Sequence, residues 1–239
     1  MRKVLNRIMV LFCLGATALV VFPIYLDDHP WPDRLRNVYE AHATLDTGAI
    51  NVVSAIYLGY RAFDTLGETV VLLIAVSGTL AIIAGGFSGA EEAVLKSHRP
   101  SSSGKEPLEL IAGKLGLIVL VFGAYVMAFG HLSPGGGFQG GVVVASGLLF
   151  LALGEGGNRA SRLTDPEFLQ KLEAGAFLIL LLAMTIGMVA GSGFLSVPSF
   201  GGSTVNPVGY IVFLNIALGL KVGAGIGLIC VIMIGDLHR

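Results

Sequence analysis

Long apolar runs separated by short polar stretches cover most of this sequence. The runs are Val4–Tyr25, a stretch from about Thr65 to Gly85, Leu108–Phe129, Phe138–Leu153, Phe168–Ala190 and Val208–Ile234. A helix needs about 20 apolar residues to cross the hydrocarbon core of a bilayer, and most of these runs approach or exceed that length. The pattern predicts an all-α integral membrane protein with about six transmembrane helices.

The region between the first two runs is less regular. Residues 26–45 are acidic and contain prolines, which predicts an external loop. Thr47–Tyr60 would extend only about 21 Å as a helix, so we predict a re-entrant or interfacial segment, with a seventh span as the alternative. Asp64 or Thr65 then caps the second helix, and Thr65 with Glu68 has the spacing of a capping box.

A polar stretch divides the chain into two predicted modules. Residues 87–107 contain charged side chains, Pro100 and three consecutive serines, which is typical of a linker. We therefore predict a membrane module over residues 1–86 and a four-helix membrane module over residues 108–239.

The third and fourth helices are joined by a glycine-rich turn. Pro134 fixes one backbone angle and has no N–H to donate, and Gly135, Gly136 and Gly137 follow it directly. This composition predicts a tight hairpin at a membrane surface. A phosphate-binding loop is disfavoured, because no Gly-Lys-Ser/Thr follows and no strand precedes.

Composition agrees with a membrane protein and excludes several other classes. The chain of 239 residues is 54% hydrophobic and 13% charged, against about 25% charged in soluble domains. Its net charge of −1 gives no indication of nucleic-acid binding. Cys13 and Cys230 lie in apolar runs, and His29 with His42 is a weak metal pair. We predict no catalytic residues, no metal site and no cofactor.

The distribution of basic residues predicts the orientation. Arg2, Lys3 and Arg7 precede a first run that is too long for a signal-peptide core, so we predict a retained helix whose start is cytoplasmic. With six spans, ten Lys and Arg residues lie inside and three outside; the seven-span alternative gives nine and four. The protein is thus predicted to lie in the inner (plasma) membrane with both termini cytoplasmic.

Lys221 is the most unusual residue, because it lies about 20 Å into the last helix among apolar neighbours. Charged groups at this depth are costly and must face protein or water. We expect polar groups of another subunit to receive this amine. It belongs either to an ion or proton pathway or to a static ion pair that fixes assembly.

The same helix carries a stripe of small residues, Asn215, Gly219, Gly223 and Gly227, at intervals of four. This stripe predicts close helix packing on the side opposite Lys221.

Three further charged residues are weaker pathway candidates. Glu68 either caps its helix or serves the pathway, and Lys114 either extends to the cytoplasmic surface or serves it. Glu173 either pairs with Lys171 and lipid headgroups or reaches a cavity. Asn215 completes the candidate set.

Two separated motifs carry a family resemblance. Ser133–Gly141 (SPGGGFQGG) and Leu214–Gly225 (LNIALGLKVGAG) resemble blocks of the B subunit of Mrp-type multi-subunit sodium/proton antiporters. Asn51–Glu68 resembles the E subunit of membrane-bound hydrogenases and the C-terminal end of the antiporter's large A subunit. The chain therefore resembles two adjacent pieces joined by the linker.

These resemblances imply a membrane subunit of a cation (sodium)/proton antiporter, supporting assembly and the ion or proton pathway. The implied partners are other membrane subunits, the lipid bilayer, sodium and protons. A membrane-arm subunit of a redox-driven complex, or a purely structural scaffold, remain alternatives. The chain is not expected to be an enzyme itself.

Overall fold

The computed structural model describes residues 11–12, 14–16, 18–19, 22, 33–86, 105–154, 162–189, 197, 199–200 and 203–237. The chain forms two compact units, Met1–Val38 and Tyr39–Arg239. In the first, every described position from 11 to 22 is helical. The ends of the predicted helix Val4–Tyr25, together with Cys13, His29 and most of the predicted linker, lie outside the described residues.

Helices make up nearly all of the described structure. They are α1 (Arg34–Thr47), α2 (Val52–Ser54, continued by a π-helix over Ala55–Tyr60), α3 (Ala62–Gly86), α4 (Lys105–Ala128), α5 (Gly137–Leu153), α6 (Pro166–Val189) and α7 (Pro207–Leu237). Two strands of two residues each, β1 (Ser199–Phe200) and β2 (Ser203–Thr204), pair in antiparallel orientation and form a short β-ribbon. Among the described residues, α3, α4, α6 and α7 are long and apolar enough to cross a membrane, and α5 is apolar but has 17 residues.

Helix α7 is the centre of the larger unit. It packs against α5, α6, α3 and the π-helix, while α4 packs mainly against α5. More than half of its apolar stretch, 56%, is buried inside the protein. Leu214, Leu218 and Val222 on α7 belong to the main hydrophobic core, together with Leu180 of α6 and Leu58 of the π-helix.

The long helices begin and end within a few residues of the predicted positions, because proline and polar caps mark their starts. Pro166 and Pro207 are first residues, where the missing N–H has no helical partner. Asp165 and Asn206 accept hydrogen bonds from backbone N–H groups two to three residues later. Helix α4 begins at Lys105, three residues before the predicted start at Leu108.

Two predictions near the start of the larger unit were wrong. The predicted loop over residues 26–45 contains most of α1, whose Ala43 is fully buried. Neither Asp64 nor Thr65 caps α3, because α3 already begins at Ala62. The hydroxyl of Thr65 instead donates to the carbonyl of Tyr57, a group that the change from π- to α-helix leaves accessible.

The segment over residues 47–60 is not one continuous helix and does not lead away from its starting point. Gly48, with a φ of +73°, ends α1, and α2 begins four residues later. The hydroxyl of Tyr60 donates to Asp46 at 2.7 Å, and its ring lies 4.9 Å from that of Tyr39, centroid to centroid. The two ends of the segment are therefore neighbours.

Candidate functional site

Lys221 and Glu173 form an ion pair inside the bundle. The Lys221 side chain is fully buried and that of Glu173 is 5% exposed, and Nζ lies 3.4 Å from Oε1. Lys221 comes from the middle of α7, about 21 Å from its start, and Glu173 from the second turn of α6. The expectation that another subunit receives the amine was wrong, because a carboxylate of the same chain does so.

Gly225 makes room for the carboxylate. A methyl group on its Cα would lie 2.7 Å from Glu173 Oε1 and 3.2 Å from a methyl carbon of Val76 on α3. The absence of a side chain one turn after Lys221 therefore allows Glu173 to approach α7 closely. Sequence reasoning assigned no role to Gly225, although it lies within the quoted motif.

The pair is unusual because its polar atoms are not fully satisfied. Neither Lys221 Nζ nor Glu173 Oε1 has a hydrogen-bond partner among the described residues. Their separation also exceeds the roughly 2.7–2.9 Å of a charge-assisted hydrogen bond. Buried charges normally need further hydrogen bonds to offset desolvation, so these two atoms retain unused hydrogen-bonding capacity.

The glycine-rich segment connects α4 to α5, and two of its glycines have backbone angles that require glycine. The φ angles are +150° at Gly135 and +144° at Gly136, values that other residues rarely adopt. Gly137 is already the first residue of α5 and is needed for a different reason. A side chain there would lie 2.8 Å from the backbone oxygen of Asn215.

Asn215 connects α7 to this turn. Its Oδ1 accepts a hydrogen bond from the N–H of Gly137 at 2.7 Å and a second one from the hydroxyl of Tyr57. The residue is fully buried, and its Nδ2 has no partner among the described residues. Since Gly136 has no side chain to cap α5, Asn215 satisfies one of the N–H groups left free at the start of that helix.

Asn51 and Ser54 attach α2 to the other side of the turn. The Asn51 amide donates to the carbonyls of Gly130 and Ser133 at 2.7 and 2.9 Å, and its Oδ1 caps α2 by accepting from Val53 N–H. The Ser54 hydroxyl also donates to Gly130, at 2.7 Å. The two motifs that suggested different subunits are thus in direct contact. Sequence reasoning assigned no role to Asn51, Ser54 or Tyr57.

The glycines of the small-residue stripe on α7 lie against α5. Methyl groups on Gly219 and Gly223 would lie 3.0 and 3.1 Å from the carbonyls of Gly137 and Gly141 on α5, and Gly227 faces Leu148 of the same helix. Glycines therefore line both sides of the α5–α7 contact. Lys221 faces α6 on the opposite side of α7.

The remaining candidates lie apart from the ion pair. Glu68 on α3 and Lys114 on α4 are exposed, and neither has an ion-pair partner within the part of the chain that the structure describes. Lys171 is also exposed and pairs with Glu167 at 3.2 Å, not with Glu173. No cluster of three or more His, Cys, Asp or Glu that could hold a metal occurs among the described residues.

Comparison with protein families identifies both parts of the chain. Residues 107–228 match the family "Domain related to MnhB subunit of Na+/H+ antiporter", and residues 1–101 match the family of the MBH complex's E subunit. A Methanocaldococcus jannaschii protein of unassigned function is 33% identical over 80% of this chain and 78% of its own length.

Relatives with assigned names are antiporter subunits. The B subunit of an Alkalihalophilus pseudofirmus Na(+)/H(+) antiporter is 35% identical over 33% of this chain and 54% of its own length. The combined A/B subunit of a probable K(+)/H(+) antiporter from Rhizobium meliloti is 23% identical over 66% of this chain, which spans only 17% of that protein.

Two solved membrane complexes contain chains of similar structure. A chain of the Mrp complex from Dietzia sp. DQ12-45-1b matches with a TM-score of 0.67 at 25% identity, over 96% of this chain and 26% of that one. A chain of the archaeal membrane-bound sulfane sulfur reductase matches with a TM-score of 0.61 at 25% identity, over 96% and 97%. The protein is therefore a multi-pass membrane protein that belongs to the family related to the MnhB subunit of Na+/H+ antiporters.

Proposed function

We propose that this chain is a membrane subunit of a multi-subunit cation/proton antiporter, and that Lys221 and Glu173 belong to its ion or proton pathway. Membership of the MnhB-related family and the match to a chain of an Mrp complex support the assignment to an antiporter. The cation is sodium or potassium, the two named for the antiporter relatives.

The observation that carries the pathway role is the under-satisfied ion pair between α6 and α7. Replacing a buried ion pair by apolar residues of similar volume is often neutral or stabilising, so packing alone does not require these charges. A carboxylate and an amine in contact can exchange a proton when the charge of a neighbouring group changes. Ionisable groups inside a membrane are typically parts of such relays.

Antiport measurements on single variants test the pathway. Lys221→Met and Glu173→Gln should each lower cation-driven proton movement in everted vesicles containing the whole complex by about a hundredfold, a typical contribution of a proton-transferring group. Glu167→Gln is the matched control, because it removes one partner of an exposed pair on the same helix α6. This control should retain wild-type antiport.

A double variant separates the pathway from a static ion pair. Removing one partner of a buried pair costs about 3–5 kcal/mol, so either single variant could fail to assemble. Lys221→Met combined with Glu173→Leu removes both charges and should assemble. Assembly without antiport supports the pathway, whereas assembly with full antiport contradicts it and assigns the pair a structural role.

A redox-driven complex is the second candidate, and one comparison favours it. The match to the sulfane sulfur reductase covers 97% of that chain, while the matched Mrp chain is much longer than this protein. Iron–sulfur subunits that purify in stoichiometric amounts with the complex would favour this alternative, because such clusters need cysteine sets. Their absence from an active antiporting complex supports the first candidate.

A further inference from the structure

Helix α3 is the least covered of the four candidate spans. Only 11% of its apolar stretch is buried, compared with 22% in α4, 28% in α6 and 56% in α7. Its buried residues, including Thr65, Thr69 and Val76, lie on one face and pack towards the core. The other side of the helix is open.

The open side carries a regular seam, which we call the α3 seam. It consists of six exposed residues spaced alternately by four and three, namely Asp64, Glu68, Val71, Ala75, Gly78 and Ile82. This is the heptad spacing by which two helices pack along each other at a small crossing angle. The seam therefore has the geometry of a helix-binding surface.

Small residues in its middle distinguish the seam from a lipid-facing surface. No heavy atom lies within 4 Å of a methyl group placed on Gly78, and Ala75 is one turn earlier. The exposed side of α4, by contrast, carries large apolar residues such as Ile118, Val121 and Phe122. Helix pairs in membranes associate through small residues that permit close approach, whereas large apolar residues suit lipid equally well.

Glu68 indicates the chemistry of the partner. It lies about 9 Å along α3 from Ala62 and is exposed, and among the described residues it has no ion-pair partner. Asp64, one turn earlier, already pairs with Arg61 of this chain. A carboxylate facing hydrocarbon is costly, so Glu68 needs a cationic partner from outside this chain.

We propose that the α3 seam binds a transmembrane helix of another subunit, with a small residue opposite Gly78 and a Lys, Arg or His that pairs with Glu68. This inference rests on the proposed function, which places the chain in a multi-subunit membrane complex.

Photo-crosslinking in the native complex tests the partner. A benzophenone amino acid at Ile82, a seam position that already carries a large exposed side chain, should attach to a membrane-spanning segment of another subunit. That segment should contain a basic residue about 21 Å, or fourteen residues, along its helix from the crosslinked site. The same amino acid at Ser77, exposed about 140° around the helix from Ile82, is the control and should give less than a tenth of this product. Attachment at position 82 to lipid only, to a second copy of this chain or to its own residues 1–32 overturns the proposal.

Substitutions along the seam test the contact energetically. Gly78→Leu and Glu68→Lys should each reduce the recovery of the crosslinked subunit with the purified complex at least about tenfold, an effect of about 1.4 kcal/mol. Ser77→Leu adds a leucine side chain outside the seam, and this variant should recover the crosslinked subunit as well as the wild type does. Recovery that is unchanged by both seam variants overturns the docking surface while leaving the proposed function intact. The proposed function itself fails if the wild-type chain purifies without other membrane subunits.

Discussion

Lys221 shows what a sequence can and cannot reveal about a single residue. Its position in an apolar helix predicts burial and a partner, and the structure confirms the burial. The identity of the partner depends on how α6 and α7 are arranged in space, and Glu173 precedes Lys221 by almost fifty residues. No local pattern encodes that distance. Gly225 was missed for the same reason, because the group that it accommodates is on another helix.

At the same scale, Asn215 is expected to stabilise the glycine turn. Asn215→Ala removes the acceptor of both the Gly137 N–H and the Tyr57 hydroxyl, and should lower the free energy of unfolding by about 1–2 kcal/mol. Tyr57→Phe removes only one of these donors and should cost less than about 1 kcal/mol.

Unfolding of the purified protein by SDS in mixed micelles measures the free energy of unfolding of the Asn215 and Tyr57 variants. Ser146→Ala is a suitable control, since its exposed hydroxyl only bonds the carbonyl of Val142 one turn earlier. Equal stability of Asn215→Ala and the control would show that the turn does not depend on this amide.

At the scale of the element, apolar length predicted the long helices well and local polarity misled elsewhere. Helix α1 is mostly polar and exposed, so its sequence resembles that of a loop. Its buried residues, Ala43 and Thr47, lie along one edge of the helix. The π-helix over Ala55–Tyr60 has no sequence pattern of its own, because it depends on contacts with the turn and α7. The β-ribbon, between the predicted helices Phe168–Ala190 and Val208–Ile234, is too short to show strand alternation.

The α5–α7 contact gives a prediction for a pair of elements. Gly223→Ala places a methyl group 3.1 Å from the carbonyl of Gly141 and 2.9 Å from a methyl group of Val144. The Val144 side chain can move but the carbonyl cannot without shifting α5, so we expect a loss of about 1–3 kcal/mol in SDS unfolding.

Gly175→Ala is the matched control, because no heavy atom lies within 4 Å of the added methyl group on α6. Alanine is the better helix former by up to about 1 kcal/mol, so this variant should be as stable as the wild type or more stable. If Gly223→Ala behaves in the same way, the glycines of α7 are not needed for close packing.

At the scale of the whole molecule, the sequence predicted two modules but not how they are joined. Their motifs suggested separate subunits, and the families matched by residues 1–101 and 107–228 correspond to those resemblances. In the structure, Asn51 from the first motif bonds directly to Gly130 and Ser133 beside the second. A chain that joins the two modules makes this contact intramolecular, and its formation then needs no association of separate subunits.

Two contacts of the segment over residues 47–60 bear on which side of the membrane its ends lie. A seventh span would place its two ends about 30 Å apart, across the hydrocarbon core, whereas Tyr60 bonds Asp46 at 2.7 Å. Asn51 further ties the segment to the turn at Ser133. Asp46 and Ser133 should therefore lie on one side of the membrane, and the excess of basic residues in the other loops predicts that this side is external.

Cysteine labelling in intact cells measures this arrangement. In a chain with Cys13 and Cys230 replaced by alanine, Asp46→Cys and Ser133→Cys should both react with a membrane-impermeant maleimide. Lys96→Cys should react only after the cells are permeabilised, because the linker over residues 87–107 is predicted to be cytoplasmic. Labelling of Ser133→Cys but not Asp46→Cys in intact cells would separate the two sites and restore the seven-span topology. Labelling of Lys96→Cys alone in intact cells would show the opposite orientation in the membrane. The contacts of the structure would then still hold, but the orientation assigned from the basic residues would be wrong.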